Sequence, residues 1–340
     1  MVLTTNGNKM RYRKFGNTEM EVSEIGFGSW AIGGAAEVGG VAIGWGPSDD
    51  TVSKQAIHAA LDGGINFFDT ADFYGLGHSE SLLGDTIGKQ KDVLIASKVG
   101  QKVGDNGKIQ IDYTKDHIIK ACELSLQRLK RDHIDFHHLH VARINHLENG
   151  ECIEAMQQLQ KEGKIRYWGI SLITFNPFPE ADFFFKNELG NGFQLVFNLI
   201  NQKALPILSQ AAAKGFGVIA RMPLQFGLLS GKIKPETTFS KDDHRSYRVV
   251  PPITEAVLSV LKKEVWPLCD KYNTTASGLA LSYILSYPEI STVIPGIRTP
   301  EHVSANTDHL VTLEEEDKQH LQNLYQSHWL PVMDMMEKQG

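Results

Sequence analysis

Short apolar runs recur along this chain, most of them separated by a segment whose apolar residues fall at helical spacing, and this alternation limits the possible folds more than any other feature. Residues 25–30, 65–68, 93–97, 134–139, 166–170, 193–198, 217–220 and 290–294 read as strands. Residues 51–61, 79–86, 114–131, 151–162, 205–214, 254–272 and 275–286 read as helices, with Gly63-Gly64 and Gly163-Lys164 as stops. A helix between two strands returns the chain to the edge where it began, so successive strands pair in parallel. Eight strands then favour a closed (β/α)8 TIM barrel over a doubly wound sheet. No linker divides the chain, and residues 1–340 read as one domain. Residues 14–23, centred on Gly16-Asn17, predict a short N-terminal β-hairpin; residues 33–46 predict a glycine-rich loop, residues 223–252 a long polar loop, and residues 300–340 additional helices outside the barrel.

Charge and cysteine content narrow the function classes. The net charge is -6, with 34 basic and 40 acidic residues and no sustained basic run, which argues against a nucleic-acid or membrane-surface partner. The first residues, MVLTTNGNKMRYRKFG, lack the apolar centre of a secretory signal, and no stretch approaches the ~18 to 20 apolar residues of a membrane span. A cytoplasmic location is expected. Cys122, Cys152 and Cys269 are odd in number and widely spaced, which predicts reduced thiols. No histidine or cysteine spacing suggests a metal site, and none is predicted. GDTIGK and GLLSGK are each one residue short of a phosphate-binding loop.

On a barrel, the residues that end successive strands share one rim. Here they are Asp69, Lys98, His140 and Ser171, with Tyr74 just beyond the second strand. These side chains suit one another chemically. A phenol is a weak acid near neutral pH unless a cation favours its ionised form, and Lys98 can supply that cation and so depress the Tyr74 pKa. A carboxylate at Asp69 can hold the lysine, and His140 can orient a carbonyl oxygen. A different reading makes Lys98 a Schiff-base nucleophile of a lyase.

The ordered motifs DTADFYGLGHSE, Ala96-Ser97-Lys98, IDFHHLH up to His140, GKIRYWGIS up to Ser171, PLQFGLLSGK from Pro223 to Lys232, and Ile294-Pro295-Gly296 resemble those of the aldo-keto reductases from about residue 11 to residue 310. The resemblance implies a barrel that binds a nicotinamide dinucleotide without a Rossmann domain, usually NADPH, with NADH as the other choice. It implies reduction of an aldehyde or ketone, or the reverse oxidation of an alcohol or sugar hydroxyl. Carried over by position, Asp69, Tyr74, Lys98 and His140 are the catalytic set. Trp30, Asp69, Ser171, Gln194, Arg221, Pro223, Leu224, Gly227 and Lys232 would surround the nicotinamide and pyrophosphate, and Gly296, Arg298, His302 and Asn306 the adenosine end. Trp30, Phe73, Tyr74 and His140 would line the substrate pocket, while Arg143, Arg245 and Arg248 suit a small polar or sugar-like carbonyl substrate. The chain departs from common family usage at Leu172, Arg221, His302 and Ala305, leaving Arg298 as the main candidate for a 2'-phosphate. The resemblance also admits a non-catalytic, cofactor-binding regulatory subunit.

Overall fold

The computed structural model describes residues 10–339. The first nine residues, on which part of the leader reading rests, and Gly340, the end of the expected outer helices, lie outside the described residues. Eight parallel strands, β1 (Phe27–Gly28), β2 (Phe67–Asp69), β3 (Leu94–Val99), β4 (Ile134–His140), β5 (Ile165–Ser171), β6 (Gly192–Val196), β7 (Gly217–Arg221) and β8 (Thr292–Ile294), pair in sequence order. Bridges from Ile25 to Val293 and from Gly28 to Gly296 join the first strand to the last and close the barrel. Among the described residues no helix is long and apolar enough to cross a membrane.

Strand periodicity fills the barrel and also aims the site. Side chains two apart on a strand point the same way, so Phe67, Leu94, Ala96, Phe136, Ile219 and Ile294 form one interior cluster. The opposite faces pack on the surrounding helices in the larger core. Continuing the interior alternation to the C-terminal strand ends brings Asp69, Lys98, His140, Ser171, Gln194 and Arg221 onto the inner face of the mouth. At the other end the hairpin of Tyr12–Lys14 and Glu21–Ser23 inserts fully buried Phe15 beneath the interior cluster. A Cβ at Gly217 would stand 2.3 Å from the Phe15 ring, so this strand start has to be glycine.

Several expected boundaries and loops are corrected. The expected strand at residues 25–30 is regular only over Phe27–Gly28, with an isolated bridge at Ile25, and it ends where the chain enters a tight 3-10 turn at Trp30–Ile32. The glycine-rich loop contains a small hairpin, Glu37–Val38 with Val41–Ala42, and a second mouth hairpin, Gln101–Val103 with Ile109–Ile111, was not expected. The helix Phe178–Lys186 also escaped the sequence reading, since Pro179 in its first turn reads as a breaker where no N–H is needed. The expected single helix at 254–272 is three pieces, Pro251–Val260, a π-helical turn at Leu261–Val265, and Pro267–Tyr272, with the break falling just before Pro267. The long loop after β7 is anchored: Trp45 bridges Asp243, and the His244 N–H donates to the Gly44 carbonyl at 3.1 Å.

Candidate active site

Lys98 sits at the centre of the mouth. Its side chain is fully buried, and its ammonium donates to Asp69 Oδ2 at 2.7 Å, to the Thr70 carbonyl at 2.7 Å and to Tyr74 Oη at 3.1 Å. Asp69 is 2% exposed, and its other oxygen accepts from Gln194 Nε2 at 2.7 Å. Ser171 Oγ in turn donates to Gln194 Oε1 at 3.4 Å. Tyr74 lies one turn beyond β2, and Gly75 after it adopts φ 60 where a Cβ would meet the Gly33 carbonyl oxygen at 2.2 Å, so the position takes glycine. The phenol ring stacks on Trp30 at 5.6 Å and meets the His140 ring edge-on at 6.0 Å. All four predicted catalytic residues therefore converge.

Burial and charge set their protonation. Burial alone would lower the Lys98 ammonium, but the facing Asp69 carboxylate and Tyr74 outweigh it and raise it, so the lysine is charged. Burial raises the Asp69 carboxyl, and Lys98, Gln194 and Arg221 oppose that rise. For Tyr74 the expected net depression is corrected: burial raises the phenol, and the opposing pull of Lys98 is the smaller effect. The tyrosine is thus protonated, as a proton donor must be. Burial first, then Lys98 and Arg221, hold His140 well below the ordinary imidazole value, so its ring is neutral. Val141, which follows it, has φ 65, a strained value for a β-branched residue.

Around this centre the predicted residues divide. Arg221 bends from the end of β7 toward β5, where its Nη2 donates to the Leu172 carbonyl at 3.0 Å and to Thr174 Oγ1 at 3.3 Å. Pro223, Leu224 and Gly227 lie on a loop with positive φ at Met222, Gln225, Phe226 and Gly227. Buried Asn198 holds it by donating to the Met222 carbonyl at 2.9 Å and to Gln225 Oε1 at 2.8 Å. Arg298 N donates to His302 Nδ1 at 3.2 Å, and burial, Lys232 and Arg298 together push the His302 imidazole down, so three basic side chains gather at one end of the mouth. Exposed Lys232 completes that group, and Asn306 is buried on the helix Pro300–Thr307. Gly296 lies under Trp45, whose ring would be 3.1 Å from a Cβ there.

Phe73, expected in the pocket wall, instead packs with Val38 and Ile43 under the mouth hairpin. Arg143 is engaged by Glu180 at 3.2 Å, and Arg245 by Asp243 at 2.6 Å, so neither presents a free charge to a substrate. Trp45 and His244 were missed; their rings lie 6.3 and 5.3 Å from Trp30. A tryptophan within a glycine-rich mouth loop was a usable signal for Trp45, whereas nothing local marked His244. The unpartnered buried His140 Nδ1 and Arg221 Nε suit a nicotinamide dinucleotide with a polar reacting ring.

A parallel barrel carrying a buried Lys–Asp pair, a neutral phenol and a neutral imidazole at its mouth belongs to an oxidoreductase that interconverts carbonyls and alcohols with a nicotinamide cofactor. The sequence model of the Aldo/keto reductase family matches residues 24–326, and the chain belongs to that family. It is 30% identical over 326 residues to the aldo-keto reductase YhdN of Bacillus subtilis, covering 94% of each chain. It is 30% identical over 318 residues to the L-galactose dehydrogenase of Arabidopsis thaliana, covering 90% of each. Among solved structures it is similar to the glycerol dehydrogenase AKR11B4 from Gluconobacter oxydans, with a TM-score of 0.78 and 30% identity over 93% of this chain and 95% of that one.

Proposed function

We propose that this enzyme reduces a small aldehyde or ketone with NADPH, or oxidises the corresponding alcohol or sugar hydroxyl, with Tyr74 as the proton donor and acceptor. The observation that carries the reading is the Tyr74 hydroxyl held 3.1 Å from the charged Lys98 ammonium and beside the neutral His140 ring. When bound, the reduced nicotinamide supplies the hydride. Tyr74 gives its proton to the carbonyl oxygen as that oxygen becomes an alkoxide, and Lys98 stabilises the phenolate left behind. His140 donates a hydrogen bond to the same oxygen. Asp69 orients Lys98 and stays out of the proton transfer. Trp30 packs the phenol from one side, and the Lys98 ammonium lies 4.7 Å from the centre of the same ring.

Ser171 and Gln194 would face the carboxamide, although the Gln194 N–H that donates to Asp69 is already engaged. Pro223, Leu224 and Gly227 would pass beside the pyrophosphate, with Asn306 and Gly296 toward the adenosine. Lys232 and Arg298 support NADPH over NADH, because a 2'-phosphate would be met by their combined positive charge, with the neutral His302 ring beside them as a hydrogen-bonding group. The sugar and polyol named for two relatives supports a hydroxylated carbonyl compound as the substrate class. The lyase reading is weakened by the hydrogen-bond inventory: all three ammonium hydrogens of Lys98 have acceptors, so its nitrogen offers no lone pair to a carbonyl.

The test is a panel of aldehydes, ketones and sugars followed by NADPH and NADH absorbance, with Tyr74→Phe beside the wild type. The variant should lose about 10²- to 10⁴-fold in kcat and keep its cofactor Kd. Wild-type turnover by Tyr74→Phe would refute the assignment, and cofactor binding with no turnover on any substrate would support the regulatory-subunit reading.

A further inference from the structure

Arg221 carries a charge that the chemistry above does not use. It is a guanidinium in the catalytic mouth, and among the described residues it makes no salt bridge. Its acceptors are the Leu172 carbonyl and Thr174 Oγ1, with Met222 Sδ 3.2 Å from Nη1, and its buried Nε has no partner. The Asp69 carboxylate makes no hydrogen bond to it: its two oxygens accept from Lys98 and Gln194. With Tyr74 and His140 neutral, Lys98, Asp69 and Arg221 leave this mouth with one uncompensated positive charge. A half-buried cation with no carboxylate bonded to it is costly and calls for a purpose.

Hydride transfer requires the nicotinamide to lie against the carbonyl carbon whose oxygen faces Tyr74, which would bring the ring to the mouth beside the adjacent strand ends that carry Gln194 and Arg221. That ring is neutral when reduced and positively charged when oxidised. We infer that Arg221 sets the redox preference of the site: its unpaired charge disfavours the oxidised ring, so the protein binds the reduced cofactor more tightly and makes the bound oxidised form a stronger oxidant. The inference rests on the nicotinamide reading of this mouth and adds to it a direction. The bound couple is biased toward accepting hydride, so alcohol oxidation is easier on the enzyme than the free couple would allow. Burial opposes the guanidinium charge and the Asp69 carboxylate supports it, and an arginine retains its proton under such opposition. A neutral aromatic side chain at this position would leave the bias absent.

The experiment compares dissociation constants of NADPH and NADP⁺, and of NADH and NAD⁺, by tryptophan fluorescence titration of the wild type, Arg221→Gln and Arg221→Lys, with thermal unfolding as a folding control. Within each pair the phosphate and adenosine contacts cancel, so the ratio isolates the ring charge. The wild type should favour the reduced form by roughly tenfold or more, as a unit charge several ångströms away allows. Tenfold corresponds to about 30 mV in the potential of the bound couple. Arg221→Gln should bring the ratio close to unity, and Arg221→Lys should retain most of it. A wild type that binds both forms equally overturns the inference without any variant. So does a preference that survives in Arg221→Gln, including the case where only the KM of acidic carbonyl substrates changes, which would make Arg221 a substrate contact. If neither form binds, the inference falls together with the nicotinamide reading; if both bind at a ratio indifferent to residue 221, it falls alone.

Discussion

Replacing Lys98 by methionine keeps the length of the side chain and removes its charge. The Asp69 carboxylate, 2% exposed, then retains only the Gln194 N–H at 2.7 Å. Removing one partner of a buried ion pair costs about 3–5 kcal/mol, and the Thr70 carbonyl and the Tyr74 hydroxyl lose their shared donor as well. The pH dependence has a definite sign. Burial already raises the Asp69 carboxyl, and without Lys98 the main opposition to that rise is gone. The folded pKa then lies further above the unfolded one, so between the two values the native state binds more protons than the unfolded state. Stability falls as pH rises through that window and stays low above it. The deficit should be smallest in acid and grow toward neutrality by about 1.36 kcal/mol for each pKa unit of separation. Urea unfolding followed by tryptophan fluorescence, at pH about 4 and about 7.5, measures it. Adding Asp69→Asn removes the stranded charge and should recover most of the loss at neutral pH. A wild-type midpoint for Lys98→Met at neutral pH, or a double variant no more stable than the single, would refute the ion-pair account.

Two further outcomes follow from the ends of the barrel. Arg298→Ala should weaken NADPH binding by about tenfold or more and leave NADH nearly unchanged, since only the former would lose a charge-assisted phosphate contact; paired Kd titrations decide it, and equal losses for both would remove Arg298 from that role. Gly217→Ala would drive a methyl to 2.3 Å from the Phe15 ring and should cost about 1–3 kcal/mol from overpacking, read as a lowered denaturation midpoint that Phe15→Leu partly relieves.

The convergence of Asp69, Tyr74, Lys98 and His140 at the mouth was largely legible because strand periodicity carries information past the strand. Lys98 shares the parity of Leu94 and Ala96, and His140 that of Phe136, so interior direction could be extended residue by residue to the rim. What escaped depends on contacts that local pattern does not encode. The bridge from Trp45 to Asp243 joins two loops that look unstructured on their own. Phe183, Phe184 and Phe185 give the helix Phe178–Lys186 apolar residues on more than one face, which conceals its period, and Pro179 looks like a stop. The hairpin of Gln101–Val103 and Ile109–Ile111 exposes Val103, Ile109 and Ile111, against the usual burial of such residues. The net rise of the Tyr74 phenol could not be read from charge pairing, since burial, the larger effect, is a property of the assembled mouth.

The seam that closes the barrel has a consequence for how the chain acquires its fold. Thr292 Oγ1 donates to the Ser23 carbonyl at 2.8 Å across 269 positions of sequence, and Ile25 bridges Val293 beside it. During synthesis the first strand therefore waits for a partner that emerges only 269 positions later. Until then the growing sheet has two open edges, each a template for mispairing, and the loop-closure entropy of nearly the whole chain has yet to be met. A contact remote from the chemistry thus adds a long-range closure to the folding of the chain, and the two-residue β1 keeps one of those waiting edges short.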